Sequence, residues 1–394
     1  SPEQAQPIAL PCEISGFFPP NRQASWFSFE AAKVDVYWIE VLSQELGFPT
    51  DPTLVVQRVT TNHPPADALE LNDSTENLGG PGFNTKSRDP KGRFEAKDGG
   101  SYRIQIRDLF THIGGAPPNG YCLVIRRPAP DFNLVALPVP APPAQKDGKQ
   151  LPLATTTLRR GGVEPVKVLA FRRDGFDGEI ELSFEGLPAG VSASPAKIEP
   201  GKNSALVFFV ASDTNDARPA AVKIKGAAKI GSTRVERAAK SATLIWGVND
   251  HETEPVYSRA CEESVVSVVA EPQPVRLARA DEKPLEAVAG AKLQIPLVVS
   301  RTPDFTTENF NVTPAGAPGL EKAKEFQIEA KATNVVYEID LSQQKLSPGS
   351  YTFALQGHLK GHREKPNRSD VDFTLYSNPI AFKVSPAPTN SRAK

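Results

Sequence analysis

The chain has 394 residues, too many for one compact domain and suited to about two to four, at roughly 100–200 residues each. Lys and Arg number 45 against 46 Asp and Glu, a formal charge of −1 with no basic stripe, which excludes the footprint of a nucleic-acid or anionic-membrane binder. With 38 Pro, 28 Gly and no apolar run near the ~20 residues that span a bilayer as a helix, the composition points to an all-β chain of many short strands and to no membrane insertion.

A start at Ser1 and a complete lack of Met are expected of a mature or clipped product. Three cysteines are present, with no Cys-x-x-Cys spacing to suggest zinc or redox chemistry. Cys12 and Cys122 fall in the expected first and last strands of the first domain. Such strands often neighbour each other, so a Cys12–Cys122 disulfide is one expectation and two buried thiols the other; Cys261 is left over.

In chain order, Trp26-Phe-Ser-Phe-Glu30 and Asp35-Val-Tyr-Trp-Ile-Glu-Val41 alternate with period two and read as adjacent strands. Residues 53–59, 100–107 and 120–126 continue the pattern, and residues 73–91 form a polar excursion loop. If Phe27, Phe29, Tyr37 and Ile39 are core, Trp26 and Trp38 face the other way and form a candidate surface for a sugar ring or a protein partner, unless a loop or domain covers them. Asp73, Glu76, Asn77, Asn84 and Asp89 crowd the excursion loop with hard oxygen ligands, so calcium is the one metal ion to consider there. No other cofactor is expected.

Together these motifs, with Leu46-Gly-Phe-Pro-Thr-Asp-Pro and Asp98-Gly-Gly-Ser-Tyr-Arg-Ile, make residues 7–127 resemble the bacterial pre-peptidase C-terminal (PPC) domain. The family's acidic opening is replaced here by Ser1-Pro-Glu-Gln-Ala-Gln. The whole chain resembles large secreted proteins of planctomycete-type bacteria, in which this domain precedes Ig-like modules. The resemblance implies a jelly-roll-like sandwich with an accessory role beside extracellular hydrolases or surface assemblies.

A proline-rich run at 136–148 follows a boundary near Pro128, so it is read as an insertion in a second domain. Strands are expected at 165–171, 179–184, 204–211, 221–227 and 241–246, with Trp246 in the core. The pattern returns at 290–301, 315–320, 334–341 and 349–357, which marks a diverged duplication of an Ig-like module. The expected layout is therefore three β-sandwiches in series: 1–128, 129–250 and 260–386, with a frayed tail at 387–394.

Catalytic constellations are missing from this pattern. His63, His112 and His251 fall between strands without a Gly-x-Ser-x-Gly elbow. His358 and His362 have the spacing of a helical zinc pair, but Gly357 and Gly361 break a helix, so a hairpin turn is expected. The chain is thus read as a non-catalytic, secreted or cell-envelope array for adhesion, assembly or spacing. Its partner is a protein or glycan at the cell surface, or a second copy, with Pro296 a candidate protector of a strand edge. Two rivals stand beside it: a carbohydrate-binding array using Trp26 and Trp38, and the non-catalytic C-terminal part of a larger extracellular hydrolase.

Overall fold

The structure is a computed structural model that describes residues 1–20, 23–110, 118–141, 147–214, 218–344, 346–364 and 367–386. His112, Pro142 and Pro143 of the proline-rich run, and the expected tail at 387–394 lie outside the described residues. The fold is all-β, an array of β-sandwich sheets; the helices among the described residues are the short 3-10 turns Pro2–Gln4, Gln44–Leu46 and Leu341–Gln343. The chain divides into two compact units. The first takes in Ser1–Gly80, Asn84–Asp131 and Arg172–Phe176; the second takes in Pro81–Phe83, Phe132–Phe171 and the chain from Asp177 onward.

The first unit is a two-sheet sandwich. Five strands run in the order Gln6–Pro7, Ser25–Ala31, Gly100–Asp108, Pro52–Arg58, Ala66–Leu71. Four run in the order Cys12–Phe17, Gly120–Arg126, Val36–Leu42, Lys91–Glu95. Period-two alternation sends Phe27, Phe29, Tyr37, Ile39, Tyr102, Ile104 and Ile125 inward, all buried in one cluster. Each such side chain contributes roughly 1.5–3 kcal/mol by leaving water. Phe29 stacks on Tyr102 at 5.6 Å, with Phe94 edge-on to both. The two runs expected to be adjacent strands, around Phe27 and Ile39, instead lie in opposite sheets.

The second unit holds the duplication, and its strand pairing shows the repeat more clearly than its residues do. Val163–Arg173 pairs antiparallel with Ser204–Ala211, as Lys292–Arg301 does with Asn334–Asp340. Ile180–Glu185 pairs with Ala220–Ile230, as Phe310–Ala315 does with Gly349–Arg363. Thr156–Arg160 runs parallel to Ser264–Pro272, as Leu285–Val288 does to Ile380–Ser385.

That last pair corrects the expected boundary at 250–260. Ser264–Pro272 is hydrogen-bonded into the second sandwich, to Thr156–Arg160 and to residues 220–222, so the third begins only at Val275–Arg279. Sequence could not show this, because a parallel partner leaves no hairpin turn to read. Pro296 is also misplaced by the sequence reading. It lies in the middle strand of the three-stranded sheet, between Val275–Arg279 and Asn334–Asp340, and not at an edge.

Within this unit the two sandwiches share an apolar seam. Leu206, Phe208 and Val210 on one strand and Val163 on its neighbour meet Ala315, Ala354 and Tyr376 of the third sandwich. A polar belt completes the junction. Glu271 lies 3.6 Å from Arg159 and 4.0 Å from Arg363, Arg276 pairs with Asp213, and the Gln273 N–H donates to the Arg160 carbonyl at 2.9 Å. Gly161 sits there at φ +68°, the left-handed region that favours glycine.

Candidate functional site

The structure separates the residues that sequence grouped. Trp26 and Trp38 both face outward, but on opposite sheets of the first sandwich, so they cannot grip one ligand together. Each is flanked by arginine: Arg103 lies 5.0 Å from the Trp26 ring centroid, and Trp38 sits in register with Arg93 and Arg126.

Cys12 and Cys122 are free thiols. Their strands are neighbours, yet Cys12 pairs with Ile125 and Cys122 with Ser15, three positions out of step. Cys12 packs on the core while Cys122 lies on the outer face beside Glu13 (3.5 Å), so the side chains point apart and the expected disulfide does not form. Burial pushes the Cys12 thiol up, and burial with the Glu13 carboxylate does the same for Cys122.

The calcium set is dispersed for an equally local reason. Asp89 is buried and its carboxylate accepts N–H bonds from Ser43, Gln44 and Glu45 at 2.8, 2.8 and 2.9 Å, capping the 3-10 turn Gln44–Leu46 from across the chain. The Asn77 side chain joins Gly80 to Thr85, and Asn84 accepts from the Lys86 N–H. Asp73 interacts with Asp51, whose carboxyl burial and Asp73 push up, and the Glu76 carbonyl accepts from Thr85. Among the described residues no three His, Cys, Asp or Glu gather into a metal-holding group.

His358 and His362 lie inside the long strand Gly349–Arg363, whose pairing with Ser369–Tyr376 runs from Gln356 to Arg363, so neither stands in a turn. His358 meets Asp372 at 2.8 Å, while His362 meets Glu364 at 3.0 Å and Thr306 at 2.7 Å. His362 meets a hydroxyl and a carboxylate through the same Nε2, whereas a hydrolytic triad sets the nucleophile on one ring nitrogen and the carboxylate on the other.

Sequence missed an exposed aromatic pair. Trp246, expected in the core, is 49% exposed and meets Tyr257, also 49% exposed, with ring centroids 5.0 Å apart and planes tilted by 49°. Ile245, whose N–H donates to the Tyr257 carbonyl at 2.9 Å, is exposed too.

The duplication explains why these side chains are free of the core. The third sandwich joins Ser369–Tyr376 to Ile380–Ser385 through residues 377–379, whereas the second takes residues 245–263 for the same step. It also takes residues 139–155 between Asp131–Pro138 and Thr156–Arg160, where the third takes residues 280–284. The two excursions are built on each other: Leu151 and Val248 exchange N–H···O bonds of 2.9 Å, the His251 N–H donates to the Lys149 carbonyl, and Lys149 pairs with Glu252. A sandwich of this type closes without either excursion. The signal in sequence was the length difference between the two repeats, which a mistaken boundary at 250–260 concealed.

A concavity of about 610 Å³ flanks the seam, with Glu179, Lys197, Leu206, Leu285, Tyr351 and Phe382 among its walls. Lys197 is held there between Glu179 and Glu199 at 2.7 and 3.0 Å, so its charge is already matched.

No protein-family model matches the chain, and no curated protein is similar to it. Among solved structures, the pre-peptidase C-terminal domain of collagenase from Bacillus anthracis matches over 32% of this chain and 98% of its own, at 17% identity and a TM-score of 0.23. The D0–D1 domain of intimin matches over 64% of this chain and 97% of its own, at 11% identity and a TM-score of 0.19. Domains 4–9 of the surface layer protein SbsC match over 84% of this chain and 42% of theirs, at 11% identity and a TM-score of 0.22.

Proposed function

We propose that the chain is a non-catalytic structural and interaction protein, exported or held at the cell envelope, in which sandwiches in series act as a spacer that carries a binding surface. The observation that carries this reading is the apolar seam. Burying Phe208 against Tyr376, with Leu206, Val210 and Ala354 around them, ties the second sandwich to the third. A tether of that kind suits a load-bearing or spacing element. The PPC-like reading of the first sandwich rests on its own motif residues, because Phe27, Phe29 and Tyr102 are the side chains its core is made of. The sugar-binding rival loses its support once Trp26 and Trp38 stand on opposite sheets.

Two readouts on the full chain test the proposal. Limited proteolysis should leave residues 271–276 uncut in the wild type and cut them in Phe208→Glu. A panel of ester, glycoside and peptide substrates should show no turnover; turnover abolished by a single substitution would overturn it.

A further inference from the structure

We infer that the strand Asn334–Asp340 is an open sheet edge at which two copies of this chain join, antiparallel, about a two-fold axis at Val336. The inference rests on reading the chain as a structural array and names the partner of one of its edges.

The duplication shows that this position in the frame can carry a further strand. In the second sandwich the matched strand Ser204–Ala211 is covered by Val191–Ala193. Ser194 continues that cover: its N–H donates to the Phe208 carbonyl at 2.8 Å, and its hydroxyl accepts the Phe208 N–H at 3.0 Å. In the third sandwich, among the described residues, Asn334–Asp340 pairs only with Lys292–Arg301 and ends its three-stranded sheet.

The ladder fixes which groups are open. The Val299 N–H donates to the Thr333 carbonyl and the Leu341 N–H to the Ala291 carbonyl, so the odd-numbered residues of this strand bond inward. Asn334, Val336 and Glu338 therefore turn their N–H and C=O groups away from the sheet. Among the described residues no strand or loop backbone bonds to them. Edges are commonly blunted by Pro, Lys or a bulge. This one is seven residues long, has no Pro or Lys, and pairs without a register shift. Its central side chain, Val336, is 52% exposed.

Self-complementarity selects a second copy as the occupant. An antiparallel partner sets these outward-bonding residues opposite one another. Centred on Val336, valine meets valine, and Asn334 of each copy meets Glu338 of the other. Centred on Glu338, two carboxylates would stand face to face, which destabilises a pair. A shift of the partner by two residues either way sets the exposed valine against Glu338 or Asn334 instead. The Val336 register thus joins two sheets into one while keeping like charges apart.

Sedimentation velocity of the full chain between about 1 and 100 µM tests the inference, and a monomer–dimer equilibrium is expected. Val336→Lys sets two like charges opposite each other and should weaken dimerisation about tenfold or more. Val336→Ile should dimerise as the wild type does. The side chain is exposed, so unchanged melting curves are expected of both variants. Mild oxidation then reads the register, with Cys261→Ser as the background. Val336→Cys should cross-link two chains, because directly opposed residues lie about 5.5 Å apart at Cα, within disulfide reach. Glu338→Cys should not.

A chain that stays monomeric overturns the inference and leaves the edge to a strand of another protein. A dimer that Val336→Lys leaves intact overturns it too, as does cross-linking of Glu338→Cys as readily as Val336→Cys. Each of these failures leaves the seam, and the Phe208→Glu proteolysis result, untouched.

Discussion

The Phe208 and Tyr376 rings meet 6.2 Å apart at 46°, joining the outer face of one sandwich to the next. The same position in the duplicate is Glu338. Phe208 and Glu338 each stand fifth in the matched strands Ser204–Ala211 and Asn334–Asp340. Glu338 pairs with Lys292 at 2.7 Å, and Val163 and Val210, registered opposite each other, are matched by Lys292 and Asp340. One frame thus presents an apolar face where it must bind its neighbour and a charged face where it does not.

Phe208 lies against the backbone of Gly316, where a Cβ would come within 2.9 Å of the ring and where φ is +106°. Gly316→Ala should therefore cost about 2 kcal/mol, from strain and from displacing the ring. Denaturant unfolding measures this; a neutral substitution would mean the ring gives way freely.

Glu164, in register with Phe209 on the seam strands, has its carboxyl pushed up to about 7 by burial, only partly offset by Arg159. Folding then favours the protonated acid. Its stabilising effect is complete below about pH 4.5, the unfolded value, and fades as pH rises to about 7. The loss amounts to roughly 3 kcal/mol for a shift of this size. Glu164→Gln should flatten that decline and be more stable than the wild type at pH 8. Parallel pH-stability curves for the two proteins would contradict it.

Val34 sits 67% exposed at a turn with φ +64°, a conformation that a β-branched side chain tolerates poorly. The turn is held by the Val34 N–H to Ala96 and by Asp35, whose carboxyl Arg127 and the Ala32 N–H hold low. Val34→Gly keeps those bonds and should gain about 1 kcal/mol. A lower melting temperature would show that the valine side chain makes a needed contact.

Asp89→Ala removes the acceptor of three backbone N–H groups and leaves them buried or half-buried without a partner. A loss of about 2 kcal/mol is expected, with or without added calcium. Rescue or amplification of the effect by calcium would restore the loop as a metal site.

Alternation makes the cores legible in sequence, because residues such as Phe27, Ile39, Ile104 and Ile295 follow a period of two. It could not say which strands share a sheet. Trp26 and Trp38 were placed on one surface for that reason, and turned out on opposite faces. Registers are equally hidden, so sequence leaves a disulfide and two separate thiols both open for Cys12 and Cys122, whose side chains face apart. The aromatic pair stayed hidden because a lone Trp in a β-rich segment reads as core. Only the paired excursions reveal that Trp246 stands outside the repeating frame.

The seam couples the second sandwich to the third, and calorimetry of the full chain compared with Phe208→Glu tests that coupling most directly. The wild type should unfold its second and third sandwiches in a single transition. The variant, with a charge facing Tyr376, should split that transition in two while both sandwiches keep their own cores. A variant that melts as one unit at the wild-type temperature would contradict the coupling, and with it the spacer reading.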